Sequence, residues 1–330
     1  MNAESSSLAE LTRSLAARAE LGLKREIQLA ANVFGRQTKS AWFPSNEPIE
    51  NGDDAAALPC ADGYTLFAAE GMRADFVAAD PWFAGFSSVM VNINDIAAMG
   101  GRPWAIVDVL FHGSGASERV LEGMAEASAA FGVPIVGGHT TPVLGPTMLA
   151  VSVLGKAKRI ISGAAARPGQ TLLAAIDLKG SFRGPGSFNA ATTASGRELR
   201  AQLAVLPELA EAGLVPAGKD ISMAGLCGTL LMMNELSGVG SILDLARVPS
   251  PPGVDRARWL TAFPSFGFIL AAEPSAVSSI CARFDSVGVA CAAVGEVTPG
   301  TKLELCLGDE RAVYWDLEES ALTGFGAGVK

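Results

Sequence analysis

Apolar residues recur every three or four positions in one long segment that is almost free of charge, and this pattern predicts a helix from Pro81 to about Gly100. Asp80 and Pro81 are typical of a helix start, and the Gly100-Gly101 pair is typical of a helix end. The apolar residues of this helix form one stripe that we expect to be buried: Phe83, Phe86, Met90, Ile93 and Ala97.

Shorter apolar runs predict strands that alternate with further helices. We expect strands at residues 64–69, 104–111, 133–136, 147–154, 171–176, 240–245, 266–271, 289–297 and 303–307. We expect helices at residues 116–131, about 190–212, 222–236 and 275–285, with amphipathic helical segments within residues 1–40. This alternation is typical of an α/β protein.

Segments rich in glycine and proline indicate where the chain is divided. Lys156–Gln170 is basic and contains both residue types, which predicts a domain boundary. Loops are expected at Phe43–Gly52, Gly180–Gly186 and Pro249–Gly253. A chain of 330 residues corresponds to roughly two domains. We predict a helical N-terminal extension (1–40), an N-terminal domain (41–157) and a C-terminal domain (158–330).

The composition narrows the classes of protein to which the chain can belong. The 34 acidic residues outnumber the 25 basic ones and give a net charge of −9, which argues against a general nucleic-acid binder. With 49% hydrophobic and 18% charged residues, the chain is not a disordered one. Its longest uncharged apolar stretch, Met223–Met233, is too short to span a membrane, and its first residues lack a signal-peptide pattern. We therefore expect a cytoplasmic protein with no nucleic-acid or membrane partner.

The chain contains five cysteines and two histidines. The cysteines show no paired short spacing, so we expect neither a zinc site nor a disulfide framework, and we expect the cysteines to be small core residues. His112 and His139 leave little room for a histidine metal site or a Ser-His-Asp triad.

Carboxylates are scarce in the apolar segments, so their positions are informative. Asp53 and Asp54 follow Gly52 and concentrate negative charge that a hard cation can offset, although on spacing alone an ordinary Asp-Asp turn is the simpler explanation. Asp95 lies in the middle of the predicted helix, on the side away from its apolar stripe. That side is either a buried polar or metal-facing surface, or a solvated face.

Two further segments combine glycine with polar residues. Gly137–Thr140, GGHT, directly follows the strand expected at 133–136, where two glycines let a ligand approach the backbone and offer amide donors to phosphate. A tight turn is the simpler explanation. Asp220 stands where a helix is expected to start, so it is either an N-cap or a carboxylate that holds a cation close to a phosphate.

The chain has no Walker A loop, no kinase-type glycine-rich loop and no GxSxG elbow. A set of carboxylates beside glycine-rich turns points to magnesium-dependent phosphate chemistry, in which positioning and charge neutralisation supply catalysis.

Taken together and in this order, five segments resemble the aminoimidazole ribonucleotide (AIR) synthase-related superfamily. They are GDDAA (52–56), AAEG (68–71), VNINDIAAMGGRP (91–103), GGHT (137–140) and KDISMAGL (219–226). The superfamily includes AIR synthase, thiamine-monophosphate kinase, selenophosphate synthetase, formylglycinamide ribonucleotide synthase and the hydrogenase maturation factor that dehydrates a carbamoyl group. The resemblance covers roughly residues 25–300.

The resemblance implies a two-domain α/β fold. The N-terminal sheet would form a barrel across a homodimer, the C-terminal domain would contain a mixed sheet with helices, and ATP would lie between the domains. The residues that would hold Mg²⁺ against the ATP phosphates are Asp53, Asp54, Asp95 and Asp220. Those that would bind ATP are Asn92, Gly137, Gly138, His139 and Thr140. Glu70 and Arg183 are candidates for contact with a small-molecule substrate, and no catalytic base is assigned.

The departures from the family patterns concern the substrate. Thiamine-monophosphate kinases usually have Glu-Gly-Val-His-Phe where this chain has EGMRADF (70–76), and an acid where it has His139. The segment from Asp220 to Leu226 has one extra residue and no second acid. We therefore expect an ATP- and magnesium-dependent enzyme, with a phosphotransferase similar to thiamine-monophosphate kinase as the first candidate. An ATP-dependent ligase or cyclase that acts on an amide, or a non-catalytic ATP-binding maturation factor, is the alternative.

Overall fold

The structure is a computed structural model that describes residues 7–34, 49, 51–113 and 116–326. The chain forms two units, each built from separate stretches of sequence. The N-terminal unit comprises Asp54–Ile160 and Ala191–Ala212. The C-terminal unit comprises Met1–Asp53, Ile161–Ala190 and Gly213–Lys330. The domain limits expected from the sequence stay a prediction, and most of the loop expected at 43–52 falls outside the described residues.

The described residues form ten α-helices and two short 3-10 turns. The helices are α1 (Leu8–Ala16), α2 (Ala19–Arg25), α3 (Ile27–Phe34), α4 (Ala74–Ala79), α5 (Pro81–Ala98), α6 (Ser117–Phe131), α7 (Gly196–Glu211), α8 (Gly225–Ser237), α9 (Arg256–Leu260) and α10 (Val277–Asp285). The 3-10 turns cover Ala191–Thr193 and Pro274–Ala276. None of the helices in the described ranges has the length and apolar character needed to cross a membrane.

Fifteen strands are present in the same residues. They are β1 (Ala56–Cys60), β2 (Gly63–Met72), β3 (Arg102–His112), β4 (Ile135–Pro142), β5 (Met148–Ala157), β6 (Thr171–Ile176), β7 (Ser181–Arg183), β8 (Ser187–Asn189), β9 (Ala217–Asp220), β10 (Gly240–Asp244), β11 (Phe263–Pro264), β12 (Gly267–Ala272), β13 (Ala290–Thr298), β14 (Lys302–Leu307) and β15 (Glu310–Asp316).

The N-terminal unit is a five-stranded sheet with helices on one face. The strand order is β1-β2-β5-β3-β4, with β3 and β4 parallel and the other pairs antiparallel. Along β3, Ile106 and Leu110 are buried, whereas Val107, Val109 and Phe111 are exposed on the opposite face. The sheet therefore has one core face, packed against α5, and one open apolar face, and it does not close into a barrel within the described residues.

Helix α5 forms where the sequence predicts it. The Asp80 side chain accepts a hydrogen bond from the Phe83 amide (3.3 Å), and Pro81 occupies the first turn. Close packing of α5 against α6 depends on two glycines. A Cβ at Gly85 would lie 2.0 Å from the Val120 carbonyl oxygen, and one at Gly123 would lie 2.0 Å from the Trp82 carbonyl oxygen. Only the absence of a side chain at both positions lets these two backbones approach so closely.

The C-terminal unit is built on a seven-stranded mixed sheet. The strand order is β15-β14-β10-β13-β6-β12-β9, with β10 and β14 parallel and the other pairs antiparallel. A smaller sheet, β11-β8-β7, lies in the same unit. The N-terminal helix α1 packs against β14 and β15, and the Leu8 amide donates a hydrogen bond to Glu310 (3.1 Å). Helix α1 thus contributes Leu8 and Leu15 to the core of the C-terminal unit.

Two segments with candidate site residues lie in strands, contrary to expectation. Gly137–Thr140 lies inside β4 and not after a strand at 133–136. The segment is extended because β4 pairs with β3 as far as His112 and Pro142, and this ladder overrides the weak strand preference of glycine. Asp220 is the last residue of β9, not the start of a helix, because Ala217–Asp220 pairs with β12.

Other differences are local. The loop expected at 180–186 contains the hairpin of β7 and β8. Helix α7 begins at Gly196, later than expected, because Ser195 and Glu198 form a capping box there. The expectation that the cysteines are core residues is wrong for Cys60, which is exposed, and Cys227 alone of the five is buried. The positions of α5, α6, β3, β5, β6, β12, β13 and β14 are confirmed within a few residues.

Candidate functional site

The polar side of α5 is buried. Every residue from Phe83 to Ala98 is buried, and Asp95 is 6% exposed. The alternative that this side of the helix is solvated is therefore wrong, because the opposite face is covered as well as the apolar stripe. The helix thus carries a carboxylate in an environment with little water.

Asn92, one turn before Asp95, is bonded at only one end of its amide. Its Nδ2 donates to the Ser88 carbonyl oxygen (2.8 Å), whereas its Oδ1 has no hydrogen-bond partner in the described part of the protein. Ser88 in turn donates through its hydroxyl to the Gly85 carbonyl oxygen (2.7 Å). A fully buried carbonyl oxygen without a donor is costly, so Asn92 offers an acceptor to a ligand donor or a cation.

Gly138 faces a carboxylate that sequence reasoning missed. Strands β3 and β4 place Asp108 opposite Gly138, and a Cβ at Gly138 would lie 2.3 Å from Asp108 Oδ1. Burial raises the pKa of Asp108 above the ordinary aspartate value. Asp108 lies on the same inner face of β3 as Ile106 and Leu110. The alternation of inward and outward residues along the strand could therefore have indicated its position.

The remaining GGHT residues lie at the edge of the sheet. The His139 ring nitrogen Nε2 and the Thr141 hydroxyl are 2.7 Å apart, and His139 is exposed whereas Thr141 is half-buried. Thr140 is also exposed, and a Cβ at Gly137 would meet only Val107, at 3.8 Å. The structure thus brings GGHT next to Asp108 in β3 and leaves the outer residues of β4 accessible.

Two predicted residues of the N-terminal unit occupy other positions. Glu70 is exposed on β2, opposite Val151 of β5. Asp54 is half-buried at the first position of the unit, directly before the buried Ala55. Helix α5 packs on β2, β3 and β5, so the unit presents these residues on one shared framework.

In the C-terminal unit, Asp53 is bound by a buried cation. Its Oδ1 lies 3.2 Å from Lys219 Nζ, and the two side chains are 10% and 4% exposed, respectively. Its Oδ2 accepts hydrogen bonds from the Ser162 hydroxyl (2.7 Å) and the Gly163 amide (2.8 Å). Lys219 is the second site residue that the sequence analysis does not identify. A single lysine in an otherwise apolar strand could have indicated it, because a buried lysine is almost always paired.

Asp220 follows Lys219 and is buried at the end of β9. It does not cap a helix, because the N-cap of α8 is Ala224, which forms no side-chain cap. The N-cap explanation for Asp220 is therefore wrong. Ser222, between the strand and α8, has a buried hydroxyl without a partner in the described residues, while its amide donates to Thr229 Oγ1 (3.1 Å).

Arg183 ends β7 and is half-buried in the small sheet of the C-terminal unit. Its neighbour Phe182 stacks under the Arg258 guanidinium, whose carbon lies 3.7 Å from the ring centre, and also contacts Phe188 edge-on. Aromatic and cation–π contacts thus hold the hairpin that presents Arg183.

The donor chemistry suits magnesium, because the candidates supply carboxylate, amide and hydroxyl oxygens. Among the described residues, however, no group of three or more His, Cys, Asp or Glu side chains is close enough together to hold a metal. Asp53 already neutralises Lys219, so binding of Mg²⁺ there would require displacement of the ammonium group. The metal and nucleotide roles of all these residues stay predictions.

Comparison with known proteins identifies the family. Residues 52–157 match AIR synthase related protein, N-terminal domain, and residues 179–307 match AIR synthase related protein, C-terminal domain. The chain is 44% identical over 305 residues to "Uncharacterized protein sll0787" of Synechocystis sp., covering 92% of this chain and 94% of that one. It is 31% identical over 265 residues to carbamoyl dehydratase HypE of Cupriavidus necator, covering 73% and 72%.

Solved structures share the fold. Thermotoga maritima PurL complexed with ATP has a TM-score of 0.68 and 21% identity, covering 89% of this chain and 53% of that one. The chain therefore spans about half the length of PurL. AaThiL complexed with AMPPCP and TMP has a TM-score of 0.65 and 15% identity, covering 87% and 93%. With both family matches, these findings show that the chain belongs to the AIR synthase-related proteins and has their two-domain mixed α/β fold.

Proposed function

We propose that the chain is an ATP- and magnesium-dependent enzyme that phosphorylates a small molecule or activates one with ATP. The observation that carries this proposal is the buried polar side of α5, where Asp95 and the unsatisfied Asn92 Oδ1 lie on a helix without other charge. An oxygen acceptor buried without a donor, as Asn92 Oδ1 is, is stabilised by a bound cation or a ligand donor. Two proteins with the same fold, PurL and ThiL, are described in complex with ATP or AMPPCP, and this supports the choice of nucleotide.

The proposed roles follow the sequence motifs. The residues proposed to hold Mg²⁺ and the phosphates are Asp53, Asp54, Asp95 and Asp220. The residues proposed to bind ATP are Asn92, Gly137, Gly138, His139 and Thr140. We propose that Glu70 and Arg183 contact the substrate. When bound, Mg²⁺ would neutralise the negative charge of the phosphates, and the glycines of β4 would let a phosphate approach the backbone.

Calorimetry with ATP and MgCl₂ tests the nucleotide site. We expect the wild type to bind, and Asp95→Asn to bind about 10- to 100-fold more weakly, because a hydrogen bond or ion contact with a charged group contributes about 1.5–3 kcal/mol. Asp62→Asn is the matched control, since Asp62 is an exposed residue of the β1–β2 turn. Absence of binding by the wild type, or equal binding by Asp95→Asn, would contradict the proposal.

The nature of the reaction is tested by measuring ADP and inorganic phosphate side by side. With thiamine monophosphate as acceptor, a phosphotransferase produces ADP without free phosphate. With formylglycinamidine ribonucleotide or another amide, an activating ligase or cyclase produces ADP and phosphate in equal amounts. The 31% identity to a carbamoyl dehydratase favours the amide class as the second candidate. A maturation factor without catalytic activity would bind ATP and form neither product.

We also propose that the chain forms a homodimer through the open face of the N-terminal sheet. Val107, Val109 and Phe111 of β3 project from this face and are 37–42% exposed, an arrangement that a second sheet would cover. Sedimentation of Val109→Asp tests the proposal, with Val313→Asp, an exposed valine of β15, as control. We expect Val109→Asp to sediment as a monomer, and the wild type and Val313→Asp to sediment as dimers. A dimer of Val109→Asp would overturn this assignment.

A further inference from the structure

Two cysteines of the C-terminal unit lie side by side. Cys281 is on α10 and Cys291 is on β13, and their sulfur atoms are 3.7 Å apart, with the Cys281 thiol donating to Cys291 Sγ. All five cysteines of the chain are free thiols. Neither residue belongs to a motif that the proposed nucleotide chemistry uses.

The backbone around the pair is firmly held. A short turn joins α10 to β13, and within it the Val289 amide donates to the Phe284 carbonyl oxygen (3.0 Å). The side chains of Phe284, Val289 and Ile280 are at most 1% exposed. A disulfide bond is about 2.0 Å long. Formation of the bond therefore requires the two sulfur atoms to approach each other by about 1.7 Å.

The pair is also accessible to small reagents. Both residues are half-buried, whereas Cys227 is 2% exposed. Burial and the neighbouring Cys281 raise the pKa of the Cys291 thiol. This environment disfavours deprotonation of Cys291, so we assign Cys281 as the attacking sulfur and Cys291 as the resolving thiol.

We propose that Cys281 and Cys291 are a redox-active dithiol that hydrogen peroxide converts into an intramolecular disulfide. The Cys281 thiolate attacks one peroxide oxygen, which breaks the O–O bond, forms a sulfenic acid and releases hydroxide. The Cys291 sulfur then attacks the sulfenic sulfur, and its proton leaves with the displaced hydroxyl group as water. The two thiols lose two electrons, which reduce one peroxide to two waters. A reducing dithiol reverses the change.

This site is separate from the proposed nucleotide residues of the same unit. Strand β13 is three strands away from β9, which carries Lys219 and Asp220. The disulfide would tie α10 to the middle of the seven-stranded sheet. The proposal therefore does not depend on the proposed function and goes beyond it.

Thiol counting after peroxide treatment tests the proposal. The protein is treated with a small excess of hydrogen peroxide, quenched and denatured, and its thiols are titrated. We expect the wild type to lose two of its five thiols and to regain them with dithiothreitol. Cys281→Ser and Cys291→Ser should each fail to lose two thiols. Cys60→Ser, which removes the exposed cysteine, should still lose two, since Cys60 is not part of the pair.

Peptide mapping identifies the product. A cross-linked peptide that contains both Cys281 and Cys291 is the expected result. An equal loss of thiols in Cys281→Ser, or a wild-type map with sulfinic acid at Cys281 and free Cys291, would overturn the proposal. If the serine variants do not fold, the wild type is treated instead with a trivalent arylarsenical, a reagent that bridges neighbouring thiols. One equivalent of this reagent should prevent the loss of two thiols on later treatment with peroxide. Continued loss in its presence would likewise overturn the proposal.

Discussion

Glu235 at the end of α8 binds the last described segment of the chain, and Glu235→Gln should release that segment. The carboxylate is 6% exposed. Its Oε1 accepts hydrogen bonds from the amides of Leu322 (2.7 Å) and Gly324 (3.3 Å), and its Oε2 accepts from the Thr323 amide (2.7 Å) and hydroxyl (2.5 Å). Four donors thus converge on one charge.

The free energy that the segment loses in Glu235→Gln follows from the hydrogen bonds that glutamine cannot make. One carboxylate oxygen becomes an NH₂ group, so at least one backbone amide is left buried without an acceptor, at a cost of about 1–3 kcal/mol. The two bonds to the remaining oxygen change from charge-assisted to neutral, and lose about 1 kcal/mol each. The sum is about 3–5 kcal/mol, and we expect about 3 kcal/mol because the segment can open locally without unfolding of the whole unit.

Hydrogen exchange of the C-terminal peptide measures this loss directly. A change of about 3 kcal/mol corresponds to roughly 100-fold faster exchange of the amides at 322–324. Glu319→Gln is the matched control, because Glu319 is exposed just before the same segment, and its exchange should be unchanged. Circular dichroism verifies that both variants are folded. Equal protection in Glu235→Gln and the wild type would refute the reasoning that the charge holds this segment.

Three further predictions concern the two units. Gly123→Ala should destabilise the N-terminal unit by about 1–3 kcal/mol in urea unfolding, because its Cβ would overlap the Trp82 carbonyl oxygen, whereas Gly186→Ala, with open space around it, should not. Lys219→Met should cost about 3–5 kcal/mol by removing the Lys219 ammonium group from the buried Asp53 charge, and Lys219→Met with Asp53→Asn should cost less than the single change. The pKa of Asp108 is raised in the folded state, so the stability of the protein falls as the pH rises above the ordinary aspartate pKa. Asp108→Asn should therefore be more stable than the wild type near pH 7, and it should lose this advantage below about pH 4. The explanation for Gly123 would be contradicted by equal urea midpoints of Gly123→Ala and Gly186→Ala. That for Lys219 would be contradicted if the losses in unfolding free energy at Lys219 and Asp53 simply added. That for Asp108 would be contradicted if the stability difference between Asp108→Asn and the wild type did not change with pH.

The sequence predicts elements well where the signals are local. Helix α5 has its N-cap, its first-turn proline and its apolar stripe within one stretch of chain, and all three agree. The sequence predicts a strand that ends before Gly137, because glycine is a poor strand former, whereas β4 continues to Pro142. The pairing with β3 that keeps it extended comes from residues about 30 positions earlier in the chain.

The sequence indicates the motifs of the candidate site but not the contacts that its residues make. A helical wheel places Asp95 opposite the apolar stripe, but the burial of that side depends on what packs against it, which periodicity does not contain. The Lys219–Asp53 pair joins residues 166 positions apart, so no local pattern indicates it. Asp108 carried a signal in its strand register, yet a single inward acid gains meaning only once Gly138 is known to face it.

The interleaved order of the two units along the chain has a consequence for synthesis and dissection. Helix α7 belongs to the N-terminal unit, where Arg200 Nη1 donates to the Ala130 carbonyl oxygen (2.6 Å), but the ribosome makes it only after β6, β7 and β8. The N-terminal unit therefore cannot be completed until residue 212 has emerged, and the C-terminal unit must wait for β15 before α1 finds its packing surface. A protease cut near residue 160 would release no autonomous module, and fragments that end there should be recovered as folded protein only when the complementary fragment is co-expressed.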